Sequence, residues 1–278
     1  MKSLLRKSVP LVTKFLMQLR PFRSSFKRAV EEAQGFVHGS YDLADEVALA
    51  IAMLPSEEGT VIDGGANAGN WSSAKLNSSG DKKLKKVVMV EPNEDHATTH
   101  ELLEKEFPHL ISTEWVALGS EPSTMTLYSN QEGSSLASLY NREIGHHGIK
   151  LARSQTVKVE KLTDIAQKHQ LGTIDFLKLD LEGHELEALK GAEPLLEKHS
   201  IRAIQFEFGG CNIDSRTYVR DFWQLLHEKY NYSFYRLVPN RKLLKLEKYS
   251  ENLERFTWQN LLVCAPNNSP DQSLITYF

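Results

Sequence analysis

Seven residues, Asp63-Gly-Gly-Ala-Asn-Ala-Gly69, hold three glycines and an acid directly behind the apolar run Thr60-Val-Ile62. Glycines let a backbone turn sharply and pass close to a ligand, and a helix starting behind them offers free amides. A dinucleotide loop wants glycine at the places held here by Gly64, Ala66 and Gly69. The middle glycine, which admits a pyrophosphate, is missing, and Asp63 would set a carboxylate beside phosphates at an electrostatic cost. S-adenosylmethionine (SAM) has no phosphate, and its ammonium and cationic sulfur favour an acid near the loop. Glu91 follows Val87-Val-Met-Val90, where a strand-end carboxylate can accept hydrogen bonds from both ribose hydroxyls. The candidate cofactor residues are therefore Asp63, Gly64, Gly65, Ala66, Asn67, Gly69, Glu91 and Asn93, joined by Ala117 and Leu118 at the end of the next apolar run. The bland alternative is a Gly-rich turn beside two strand-end acids; loop, Asp63 and Glu91 together favour SAM over it.

A second constellation is Asp180, Glu182 and His184, which follow Ile174-Asp-Phe-Leu-Lys-Leu179. Period-two spacing sets the three on one side of a strand end, where they can orient an acceptor hydroxyl or take its proton. His184 has the natural pKa for a base near neutrality. Asp180 and Glu182 are also oxygen donors of the kind a divalent cation takes, but no second ligand set is evident and no metal is assigned. The competing reading has Asp180 holding turn amides, His184 opening a helix, and Glu185 and Glu187 on that helix's surface. Glu207, ending the next strand, can reach the same cleft. His146, His147, Tyr140 and Asn141 sit in a long Gly-containing stretch, where solvent-facing side chains are the commoner outcome.

The elements that must position these residues follow from apolar periodicity. Strands are expected at 60–63, 87–90, 115–118, 125–128, 156–159, 174–180, 201–208, 232–237 and 260–264. Helices are expected over 42–54, 70–76, 94–107, 163–169, 185–199 and 214–230, the last with Val219, Phe222, Trp223 and Leu226 inward. Residues 130–153 have no period, and a loop that long is usually functional or disordered. Strands alternating with helices imply a mainly parallel sheet covered on both faces, with ligands at the strands' C-terminal ends.

Composition bounds the partners. The 278 residues are 41% hydrophobic and 25% charged, as in an ordinary soluble globular chain. Two cysteines far apart, Cys211 and Cys264, read as idle buried thiols in a reducing, cytoplasmic setting. Residues 1–28 carry eight of the 33 basic side chains and no acid, leaving 25 basic against 36 acidic elsewhere. The apolar stretch from Val9 to Leu19 is broken by Pro10 and Lys14, so it is not a convincing signal peptide. A basic helical extension over 1–40, packed on a body of 41–278, is preferred. The alternative is an amphipathic helix on an anionic membrane, with Leu11, Val12, Phe15, Leu16 and Leu19 on one face, which makes 1–28 a candidate for peripheral membrane contact. Nucleic-acid binding is disfavoured because no aromatic-basic interleaving accompanies the charge.

Four segments resemble the FkbM-type methyltransferase family: Val61-Ile-Asp-Gly-Gly-Ala-Asn-Ala-Gly69, Val90-Glu-Pro-Asn93, Phe176 through Ala192, and Ile204-Gln-Phe-Glu207. Ser134-Ser-Leu136 and Leu162-Thr-Asp164 add weaker matches, and the likeness spans about residues 58–265. It implies a class I SAM-dependent, Rossmann-like fold with a mainly parallel seven-stranded sheet. It also implies methyl transfer in line to a hydroxyl oxygen, with sugars, glycans or secondary metabolites as acceptors. Thr163 departs from the family, which commonly has an acid there. Two other readings compete: a nicotinamide-dependent oxidoreductase, which Ala66 and Asp63 disfavour, and a non-catalytic SAM-fold module held to a partner or membrane by the basic head.

Overall fold

The computed structural model of the chain describes residues 20–36, 42–55, 58–78 and 84–277. Its centre is β1 (Gly59–Gly64), buried at every position. β1 pairs in parallel with β2 (Leu84–Val90) on one side and with β7 (Phe176–Leu179) on the other. Side chains alternate across the sheet, as a period of two requires. Val61, Val87, Met89 and Phe176 enter one apolar cluster with Val47, Ala50 and Met53. Ile62, Val88, Val90 and Leu177 enter another with Ile165, Leu186, Leu189 and Phe222. Continuous apolar runs are what a strand buried on both faces demands.

Beyond β2 lies β3 (Ile111–Glu114), and beyond β7 lie β8 (Ala203–Phe208), β11 (Gln259–Cys264) and β9 (Ser233–Val238). The order β3-β2-β1-β7-β8-β11-β9, with β11 antiparallel to both neighbours, is that of the class I SAM-dependent methyltransferases. Among the described residues the sheet has nine strands rather than the seven expected, because β10 (Lys242–Leu246) and β12 (Ile275–Thr276) extend the β9 edge. The reversal before β10 is made by Asn240 and Arg241, both at positive φ (64° and 57°), a conformation Asn adopts readily and Arg does not advertise.

Three other expectations need correction. The main-sheet strand after α4 (Ala97–Glu106; α1–α3 precede it at Arg20–Ala33, Leu43–Met53 and Asn70–Ser78) is Ile111–Glu114, not 115–118. Ala117–Leu118 is a separate strand, β4, in a small sheet with β5 (Ser123–Ser129) and β6 (Arg153–Glu160). The apolar run marked what is buried; hydrogen bonding to β2 is a backbone matter and falls on the more polar residues before it. The helix expected over 185–199 breaks into Glu185–Lys190 and Glu193–Glu197: Pro194, in the first turn of the second, has no N–H to continue the ladder, and Gly191 at the break packs where a Cβ would lie 2.1 Å from the Gly119 carbonyl. The helix expected from 214 starts at Val219 and runs on to Lys229 in wider turns, after a separate short helix at Cys211–Ser215. Its inward residues Val219, Phe222, Trp223 and Leu226 are all buried.

Residues 24–30 of α1 are exposed, so the extension does not lay that stretch against the body. It is fastened at its end, where Phe36 is buried between the guanidinium groups of Arg236 (4.1 Å from the ring centroid) and Arg255 (4.7 Å). The apolar face expected over Leu11–Leu19 lies outside the described residues. Both cysteines are buried free thiols.

Candidate active site

The C-terminal ends of β1, β2, β7 and β8 meet at one point. β1 is followed by Gly65 at φ 75°, whose N–H donates to the Val90 carbonyl (2.9 Å), as does that of Ala66 (3.2 Å). The loop is thereby stitched to the end of β2. Only glycine fits here: a Cβ on residue 65 would lie 1.9 Å from the Asp180 carbonyl oxygen. Glu91 fastens the loop from the other side, one oxygen accepting from the Asn67 N–H and the other from that of Asn93, each at 2.8 Å. Burial pushes this carboxyl up to about 7 against those two bonds. Each of its oxygens keeps a lone pair for a ligand.

A cleft opens above the loop, with about 760 Å³ of empty space counting the part open to solvent. Of the expected residues, Gly65, Asn67, Glu91, Ala117, Leu118, Asp180, Glu182 and His184 line it. Among its described lining residues none is Lys or Arg, which suits a nucleoside without phosphates. Leu127 and the segment Ser134–Leu139 form the opposite wall, and Asn67 Nδ2 reaches the Ser134 carbonyl at 3.2 Å.

A second cleft shares Gly65, Asn67 and Asp180 with the first. Ala66, Glu46, Lys178, Glu207, Trp71 and Trp258 line it. Lys178 is buried in β7, with its ammonium 3.3 Å from Asp180 and 3.7 Å from Asp63. Burial opposes its charge, but Asp180, Asp63, Glu46 and Glu207 together hold it above the usual lysine value. Glu46 accepts from Asn260 Nδ2 at 3.0 Å, and burial lifts it to about 7 despite Lys178. Burial and Asp180 raise Glu207 as well.

The family model of the FkbM methyltransferase domain matches residues 63–234. The chain belongs to the FkbM methyltransferase family. No curated protein sequence matches it. Among solved structures it is similar to the FkbM methyltransferase of Methylobacillus flagellatus KT, at 14% identity over 87% of this chain and 59% of that one, with a TM-score of 0.46. It is also similar to TrmK of M. capricolum bound to S-adenosyl-homocysteine (SAH), at 11% identity over 82% and 70% of the chains (TM-score 0.40). A third is a SAM-dependent O-methyltransferase of Thermotoga maritima, at 11% identity over 81% and 66% (TM-score 0.37). The chain thus spans less than two thirds of the length of the Methylobacillus protein.

Membership in the FkbM family implies SAM as methyl donor, and the glycine cradle, Glu91 and the phosphate-averse cleft fit it. Four of the expected cofactor residues act from beneath rather than facing the cleft. Asp63 is fully buried and accepts from Ser72 Oγ at 2.7 Å, tying α3 to β1. Gly64 packs where a Cβ would meet Leu118 and Leu179 at 3.0 Å, and Gly69, at φ 76°, where one would lie 2.6 Å from Leu103. Asn93 accepts from the Asp95 N–H (3.2 Å) and from Gln155 Nε2 (3.1 Å).

The expected catalytic trio of this FkbM domain lines one cleft without forming one row. β7 stops at Leu179, and Glu182 and Gly183 turn the chain at φ 51° and 105°, so the period-two alignment with Asp180 does not continue. Glu185 enforces the turn. It is fully buried, not on the helix surface as expected, and accepts from the N–H groups of Leu181 (2.8 Å) and Gly183 (3.2 Å). Glu182 is ion-paired with Arg142, and burial and Asp180 lift it to about 8. His184 shares a 3.0 Å hydrogen bond with the Tyr140 hydroxyl, and burial depresses it to about 4, which makes it a weak base. Asp180 alone stands where the two clefts join.

Sequence reasoning missed Lys178, Glu46 and Arg142. The first two carried a signal: a lysine inside a wholly apolar strand needs buried partners, and Glu46 shares the inward face of Leu49, Ala50 and Met53. Arg142, in an aperiodic stretch, carried none. His146 and His147 are exposed. Thr163 donates to the Gly191 carbonyl at 2.7 Å, outside both clefts. Among the described residues no group of three His, Cys, Asp or Glu side chains could hold a metal ion, and Glu182, one of the two oxygen donors considered, is held by Arg142.

These buried acids set a pH dependence. Glu46, Glu91, Glu182 and Glu185 are raised from 4.5 to about 7, 7, 8 and 7. The native state therefore binds more protons than the unfolded chain, and stability is lost as pH rises through those values. His96, His100 and His184 shift downward from 6.5 and oppose this only below their unfolded pKa. The ligand-free protein should accordingly lose thermal stability steadily from pH 6.5 to 8.5. A melting temperature that holds or rises over that window contradicts the assignment.

Proposed function

We propose that the protein is a SAM-dependent O-methyltransferase acting on a hydroxyl of a small molecule, sugar or glycan. The observation that carries this is the junction at Asp180, where a nucleoside cleft without cationic lining meets a second cleft lined by Asp180 and Glu207. When bound, SAM supplies an activated methyl group. The chain's part is to position the acceptor oxygen and give its proton somewhere to go. Asp180 and Glu207 are the carboxylates available for that; Glu182 is committed to Arg142, and His184 faces the nucleoside cleft. Glu91 and the Asn67 backbone hold the ribose end of the donor, and Ala117 and Leu118 flank its base.

Calorimetry with SAH and NADH tests the reading. SAH should bind and NADH should not, and Glu91→Ala should weaken SAH about a hundredfold by removing a buried charge-assisted acceptor. Asp180→Asn should keep SAH binding while lowering turnover of hydroxyl acceptors, followed by SAH release, about a hundredfold or more. Binding of NADH but not SAH would move the assignment to an oxidoreductase. Among the described residues no helix is long and apolar enough to cross a membrane.

A further inference from the structure

Helix α1 is fastened to the body beyond its end and is open to solvent along its middle. Residues 24–30 are all exposed. The fastening is Phe36 between Arg236 and Arg255, with Glu31 3.7 Å from Arg255. A helix of 14 residues is marginal in water by itself, and helices in proteins draw most of their stability from packing an apolar face. α1 has such a face. Phe26, Ala29, Val30 and Ala33 recur at i, i+3, i+4 and i+7, one side of a helix. All four are exposed, Phe26 at 41% and Val30 at 40%. Single exposed apolar residues are ordinary; an aligned set along an exposed helix needs a surface to cover it.

Charge identifies that surface. Residues 1–28 carry eight basic side chains and no acid, and four of the eight (Arg20, Arg23, Lys27 and Arg28) belong to α1. The rest of the chain holds 25 basic against 36 acidic residues. Lys27 and Arg28 are exposed, each beside an acid one turn on, Glu31 at 3.7 Å and Glu32 at 2.7 Å. Exposed pairs of this kind are weak, so both cations stay available to a ligand. A nucleic acid would satisfy the charge but leave the apolar face uncovered. A second copy of α1 would cover the face but set like charge against like over 1–28. An anionic bilayer satisfies both and repels the acidic remainder of the chain.

We propose that α1 lies in the surface of an anionic lipid bilayer, with Phe26, Ala29, Val30 and Ala33 sunk to the acyl boundary and its basic side chains among the headgroup phosphates. The link to the body is short. Gly35 turns at φ 81° where a Cβ would lie 2.1 Å from the Leu237 carbonyl, and Arg236 Nη1 donates to the Gln34 carbonyl at 3.4 Å. The link is thus seated on β9, and lipid bound by α1 holds the catalytic body at the membrane surface.

The test is sedimentation of the full chain with vesicles of phosphatidylcholine, alone or mixed with phosphatidylserine. Partitioning onto the anionic vesicles should exceed that onto neutral ones at least about tenfold. It should fall about tenfold between about 0.1 M and 1 M salt, as the attraction is screened. Near an anionic surface each basic residue changes binding about fivefold, so Lys27→Ala with Arg28→Ala should weaken it about twentyfold. Phe26→Ala with Val30→Ala keeps a good helix former at both positions and should weaken it about tenfold through lost apolar burial. All four residues are exposed, so neither pair of substitutions should move SAH affinity or the melting temperature. Failure to bind anionic vesicles, equal binding to both kinds, or anionic binding that either pair leaves unchanged overturns the proposal. So does a tRNA complex or a concentration-dependent dimer that forms without vesicle binding and is lost in the same variants, which would assign the face to a nucleic acid or to a second copy.

Discussion

Gly65→Ala should abolish measurable SAH binding, a loss of at least about a hundredfold, and lower the melting temperature. Two costs add. The residue sits at φ 75°, where a side chain costs about 1 kcal/mol relative to glycine. The larger cost is steric: the new Cβ would lie 1.9 Å from the Asp180 carbonyl oxygen and 2.8 Å from its carbon. Those are backbone atoms at the end of a central strand, so no side chain can swing away. Either the loop lifts from β7, breaking its bonds to Val90, or the Asp180 backbone retreats and alters both clefts. The matched control is Gly172→Ala, where nothing lies within 4 Å and φ is not in the left-handed range; it should leave SAH binding unchanged. Gly64→Ala should fall between, because its nearest neighbours are the side-chain tips of Leu118 and Leu179 at 3.0 Å. Native-like SAH affinity in Gly65→Ala would show that the loop does not need this close approach to hold its ligand.

The same glycine shows how far the sequence could be read. A glycine loop between an apolar strand and a helix is a local pattern, and it located the loop, Glu91 and the mouth of the cleft. What β7 does to that loop is not local. Asp180 is more than a hundred residues away, and only the β1–β7 pairing brings its carbonyl over Gly65. Asp63 was legible as important, but acid type and position do not say whether a side chain points at a ligand or, as here, at Ser72. The one-sided row expected at 180, 182 and 184 does not form, for a physical reason. Period-two reasoning assumes extended backbone, and Glu182 at φ 51° ends it. A Glu-Gly pair behind an apolar strand is a turn signal that competed with the alternation and won. β12 was invisible because a two-residue strand has no period to read, and β10 because Lys242-Leu-Leu-Lys-Leu246 is neither a strict alternation nor a continuous apolar run.

Removing Arg142 should be the most damaging change outside the glycine loop. Its side chain is 10% exposed, and it is paired with Glu182, 11% exposed, and with Asp214 at 3.7 Å. It is the link between the aperiodic stretch after β5 and the turn after β7. The stretch is otherwise held there by the Ser138 hydroxyl on the Glu182 carbonyl (2.9 Å), Tyr140 on His184 (3.0 Å) and the Glu143 N–H on Asp214 (3.1 Å). Arg142→Ala leaves a buried carboxylate without its cation, a loss of about 3 kcal/mol. It also loosens the wall over the nucleoside cleft, so SAH affinity should fall about tenfold. The pH dependence identifies the cause. Arg142 now restrains a carboxyl that burial and Asp180 lift to about 8; without it that carboxyl rises further and stays protonated at pH 6. The stability difference between Arg142→Ala and the native protein should therefore be small at pH 6 and large at pH 8.5. Glu182→Gln, which removes the titrating group but keeps Arg142 beside Asp214, should flatten that dependence, and adding Arg142→Ala to it should cost less than the same change in the native protein. Equal destabilisation by Arg142→Ala at both pH values would assign the loss to packing of the arginine stem, not to the ion pair.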